Sequence, residues 1–234
     1  MAVWQNQLRV IDMPLSTIQH QIQSLYDLRL SHQVEDFLIT DRHFLSNIAS
    51  DDNQRQTPEK LVFCEQDDEL LVSLYLAEEA LDQLSSNDPY DHLHGGNIDI
   101  FCTVLEGVSH FVYLIYNATH DRPVSRLELE VQAEVDKYFL VSRLCDSQGM
   151  RIDRRRLSAW LFDYCRFDPA LKPDERARYE FANRIARAFC KRVRNTPDLD
   201  HRPDSVVSEL RRFYRMRHHE KFDSALGDRP MRAP

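Results

Sequence analysis

The stretch NIDIFCTVLEGVSHFVYLIYN, residues 97–117, is the longest apolar run in the chain and decides how the rest is read. At a helical advance of about 100° per residue, Phe101, Val104, Leu105, Val108, Phe111, Val112 and Ile115 cover one broad apolar face. Asp99, Thr103, Glu106, His110, Tyr113 and Asn117 recur at spacings of three or four, so the polar residues share one narrow stripe. The run predicts a helix at the centre of a core, and its stripe is the first place to look for chemistry. Although it approaches the length of a membrane span, Glu106, Ser109, His110 and Asn117 are expensive in lipid and basic flanks are missing. We therefore expect a buried helix and no membrane partner.

On its C-terminal side, THDRPV (residues 119–124) reads as a turn, and Ser125 followed by Glu128 is a capping-box pattern that opens a second long helix. Leu127, Val131, Val135 and Tyr138 supply its buried face. Two long helices with a short connection predict an antiparallel hairpin, which would bring Glu130, Glu134 and Asp136 near the polar stripe. Further on, Arg-rich helices are expected at 153–162, 174–194 and 204–218, separated by Pro169, Pro173, Pro197 and Pro203. The last residues, from Asp223, read as a mobile tail.

On its N-terminal side, SSNDPYDHLHGG (residues 85–96) demands turns, and a short helix is expected at 76–84. Two β-prone runs, 61–64 and 69–76, flank Gln66, Asp67 and Asp68 and form the one convincing hairpin signal. Leu15, Ile18, Ile22, Leu25 and Leu28 share a face of a helix announced by Pro14 and Ser16, preceded by a possible strand at 8–11. The segment 34–40 suits either a strand or a helix end, and 50–58 reads as a loop. The fold expected is mostly α (α+β), a helical body around a long central helical hairpin with a small N-terminal β-hairpin region. Its parts are 1–96, an α/β region; 97–222, helical; and 223–234, the tail, with a single domain as the alternative division.

The net charge of −8 conceals a division. Residues 1–140 carry 24 acidic and 8 basic side chains (net −16), and 141–234 carry 14 and 22 (net +8). Such halves suit either an anionic partner or each other, within the fold or across a homo-oligomer. Five separated cysteines without a Cys-x-x-Cys pair, and no leader-like N-terminus, give the expectation of reduced thiols in a cytoplasmic protein.

Three functional readings compete. Every catalytic motif is partial, since no GxSxG elbow, phosphate-binding glycine loop or His-Glu-x-x-His occurs. The leading expectation is thus a non-enzymatic interaction or regulatory protein acting through helical and charged surfaces on a protein partner or a second copy. The alternative is a metal-dependent hydrolase with His92, His94, Glu106 and His110 as ligands and Glu130 or Glu134 as base, because imidazole and carboxylate suit zinc or iron. The spacing specifies no cofactor, so its identity stays unknown. Nucleic-acid or other anion binding through Arg184, Arg187, Lys191 and Arg194 is the third reading, since guanidinium forks match phosphate. A pI of about 5.7 argues against it, and Arg-to-carboxylate pairing is the simpler explanation.

Overall fold

A computed structural model describes residues 15–48, 57–67, 69–195 and 203–227. The expected strand at 8–11 and most of the expected loop at 50–58 lie outside them. The described residues are 65% helical with one three-stranded sheet, so the chain is a mostly helical α+β protein. They fall into two compact units, the first within 1–22 and 29–123, the second within 23–28 and 124–234.

Helix α1 (Leu15–Tyr26) belongs to the first unit as far as Ile22, where it buries Leu15, Ile18 and Ile22 completely, and its last turn belongs to the second. Its Gln19 amide ties down the following loop, donating to the His32 carbonyl and accepting from the Val34 N–H, both at 2.8 Å. The ambiguous segment 34–40 resolves into a 3-10 turn (Val34–Phe37) and a two-residue strand, β1 (Leu38–Ile39). After α2 (Arg42–Ile48), β2 (Glu59–Gln66) and β3 (Glu69–Leu76) form the expected hairpin, its turn carried by Asp67 at φ 51°. The sheet order is β1-β3-β2, with β1 parallel and β2 antiparallel to β3.

The middle strand β3 is covered on both faces. Tyr75 packs in a cluster with Ile39, Phe44, Leu45 and Ile48. Leu74 and Leu76 meet α4 (Ile98–Ala118), the helix of the opening stretch, at Gly107. A short helix α3 (Glu78–Ser86) packs on α4 as well. By length and composition α4 alone among the described residues could cross a membrane, but 72% of its most apolar window is buried as a core helix. Because α4 is the wall on which the sheet packs, the boundary between units falls after it, at Pro123/Val124, and the two helices expected to form one hairpin belong to different units.

The second unit opens with α5 (Arg126–Ser147), and both halves of its capping box are made: Ser125 Oγ accepts from the Glu128 N–H, and Glu128 Oε2 accepts from the Ser125 N–H. Next come α6 (Arg154–Ser158), which runs into one π-turn (Ala159–Asp163), α7 (Pro173–Arg194) and α8 (Pro203–Arg215). α5 packs along α7. Phe189 stacks on Phe213 at 3.8 Å, joining α7 to α8.

The expectation of a mobile tail over 223–234 needs correction at its start, while 228–234 lie outside the described residues. Residues His218–Leu226 form a further helix, α9, which packs on α7, with Lys221 fully buried and Ala225 5% exposed. An amphipathic helix whose buried face is led by a lysine has no apolar period to announce it.

Gly107 is the tightest point of the first unit. A Cβ there would meet Leu74 Cδ1 at 3.1 Å and Leu76 Cδ2 at 3.3 Å, both on fully buried side chains. Gly107→Val is expected to destabilise the first unit by about 2 kcal/mol through overpacking, measured by urea unfolding. An unchanged midpoint would contradict this packing.

Candidate functional site

The sequence-proposed ligands His92, His94, Glu106 and His110 all lie in the first unit, and they do not converge. His94 is occupied by the turn it makes: Nδ1 accepts from the Gly96 N–H at 3.0 Å and Nε2 faces Asn87 Oδ1 at 3.2 Å. Asn97 fixes the same turn, accepting from the His94 N–H and donating to the Asn87 and His92 carbonyls. The His92 ring is exposed, 5.7 Å from that of His94. From this turn to Glu106 the helix rises about 13 Å, beyond the reach of a shared ion. Glu106 and His110 do come together, with ligand atoms within 4.8 Å. Glu59, at the start of β2, also reaches His110, its Oε2 3.9 Å from Nδ1. No sequence signal joins a strand's first residue to a helix fifty positions away.

The acids of α5 have partners inside the second unit. Glu134 pairs with Lys137 at 2.8 Å, and Glu130 faces Arg178 at 3.7 Å. Asp136, fully buried, accepts from the Tyr26 hydroxyl at 2.5 Å and from Gln132 Nε2 at 2.9 Å. Gln132 Oε1 in turn accepts from Lys221 Nζ at 2.9 Å, and that ammonium lies over the Phe213 ring at 4.9 Å. Burial pushes the Lys221 amine down to about 7, against the upward pull of Glu128 and Asp136. Burial also raises the neighbouring Cys190 thiol and Tyr26 phenol well above their usual values, so both stay protonated.

Ser125, Glu128 and His218 gather at the start of α5 in what resembles a nucleophilic triad. A triad base takes the serine proton on one ring nitrogen and holds the carboxylate with the other. Here His218 Nδ1 faces both groups, Ser125 Oγ at 3.2 Å and Glu128 Oε2 at 3.3 Å, while Ser125 Oγ donates to Glu128 Oε2 at 2.8 Å. The group is a helix cap with a histidine added to it.

The basic stripe of α7 divides along its length. Arg184 lies over the Phe181 ring at 4.7 Å, Arg187 pairs with Asp163 at 2.6 Å, and Lys191 is exposed. Elsewhere Arg192 and Arg212 share Glu209, and Arg176 pairs with Glu180. Arg184 also borders an open pocket with Asp174, Arg178 and Glu180, whereas Arg194 faces a more enclosed cavity.

That cavity, about 430 Å³, is framed by the end of α1 and by α5, α6, α7 and α8. Val193, Val206, Val207, Leu210 and Phe139 give it an apolar wall, and Arg143, Arg154, Arg194 and Arg211 set four guanidinium groups around it against one carboxylate, Asp146. Arg154 pairs with Asp146 at 3.2 Å, and Arg211 Nε holds the Leu25 carbonyl at 3.1 Å. Tyr138, 2% exposed, also belongs to the lining, and its buried hydroxyl lies beside the Arg194 side chain. Burial raises the Tyr138 phenol, opposed by the Arg194 and Arg154 cations and by a hydrogen bond with Arg194, so it stays protonated. The volume lies within the ordinary range for small-molecule sites, about 300–1,000 Å³.

No protein-family model, curated protein or solved structure matches the chain. Function is therefore argued from the geometry alone.

The Lys221 network has a measurable signature. Its amine titrates near 7 in the fold and near 10.5 in an unfolded chain, so between these values the unfolded chain binds more protons and stability rises with pH. Cys190 and Tyr26, whose values are raised, act oppositely once pH passes their ordinary 9.0 and 10.0. From pH 7 to 9 the second unit should gain up to about 1.4 kcal/mol per pH unit in urea unfolding, and Lys221→Met should flatten that slope. An equal slope in the variant would show that Lys221 does not titrate in this window.

Proposed function

We propose that the protein is a non-enzymatic binding protein whose second unit captures a small amphipathic anion. The observation that carries this reading is the cavity, where an apolar wall and an excess of guanidinium groups meet in one space. The lining holds neither histidine nor cysteine, and its one carboxylate is paired with Arg154, which favours capture over turnover. The metal-hydrolase reading is weakened by the occupied ring nitrogens of His94. Nucleic-acid binding is weakened by the pairing of Arg187, Arg192 and Arg212 with carboxylates. A regulatory role fits the proposal, since ligand capture by a helical unit is a means of changing what a partner meets. Cytoplasmic location remains part of the proposal, supported by cysteines that are all free thiols among the described residues.

The anionic dye 1-anilinonaphthalene-8-sulfonate is a suitable probe, combining a sulfonate with an apolar body. The folded chain should bind one equivalent with enhanced fluorescence, and Val207→Trp, which fills the cavity, should reduce binding at least tenfold while near-ultraviolet circular dichroism stays native. No binding to the folded chain, or equal binding by the filled variant, would overturn the reading.

A further inference from the structure

We propose that the ligand of this cavity is a phosphomonoester bearing a compact apolar group. The proposal rests on the reading of the cavity as a binding site and adds the chemical class of its occupant. Four guanidinium groups against one carboxylate leave an excess of three positive charges, more than a monocarboxylate balances and better matched by a dianion. A phosphate offers three oxygens as acceptors in place of two, and its geometry suits paired N–H groups of arginine. The donors available are of the right kind: Arg143, Arg154 and Arg194 all belong to the lining, with Tyr138 beside Arg194. Arg154 stands nearby, held by a half-exposed Asp146 that a dianion can outcompete. Beyond this polar end, Val193, Val206 and Leu210 present apolar surface that inorganic phosphate alone would leave wet.

The test is isothermal titration of the full chain at pH 7.5, where the ester is mainly dianionic, with hexyl phosphate, hexanoate and inorganic phosphate. Hexyl phosphate should bind one to one and at least tenfold tighter than either of the others. Arg194→Lys, which keeps the charge and removes the fork, should weaken it severalfold without lowering the melting temperature. Hexanoate binding as tightly as the ester would overturn the phosphate assignment, and inorganic phosphate binding as tightly would overturn the apolar half. Binding of the naphthalene sulfonate dye without any of hexyl phosphate would overturn this inference and leave the binding reading standing. Failure of both probes would remove the binding reading itself.

Discussion

The second unit depends on one constraint, that the ammonium of Lys221 is buried and every group around it must compensate. A charge or amine taken fully from water is tolerated only with its hydrogen bonds made. Gln132 accepts from it, Asp136 binds Gln132, and the Tyr26 hydroxyl bonds Asp136, so α9, α5 and the last turn of α1 are joined through one row of polar atoms. Tyr26 then stacks on Tyr214 at 4.1 Å, which fixes α8 beside that turn. Arg211 and Arg215 add bonds from α8 to the carbonyls of Leu25 and Tyr26. The cavity follows from this arrangement, because Ser24 and Leu25 on one side and Val206, Val207 and Leu210 on the other are parts of the elements so joined.

Such a network explains why the buried Lys221 amine is a structural group of the second unit. Lys221 is enclosed, and its partners are complete within the fold. The cavity has the opposite character: it is partly open, and its arginines exceed its carboxylates. The same contrast separates Ser125, Glu128 and His218, whose bonds close upon one another, from a reactive triad.

Elements with a strong period were legible in the sequence. The apolar face of 97–117, the Ser125–Glu128 capping box and the hairpin around Asp67 all appear where the residues place them. What escaped were features made by residues far apart. His94 offers a metal-like letter, but its lone pair is used by Gly96 two residues away, which is a matter of turn geometry. Helix α9 escaped because its buried centre is a lysine, the residue type least expected inside. Arg194 was visible as part of a stripe on α7, yet its companions in the cavity, Arg143, Arg154 and Arg211, come from three other helices, and spacing along one helix cannot assemble them.

The central claim, that the second unit holds an amphipathic anion between α5, α7 and α8, is most directly tested by hydrogen–deuterium exchange of the full chain with and without saturating hexyl phosphate or naphthalene sulfonate dye. The account predicts added protection concentrated at residues 138–146, 193–194 and 206–211 and none in the sheet of the first unit. Protection centred on α4 or the β-hairpin, or none anywhere at saturating ligand, would contradict it.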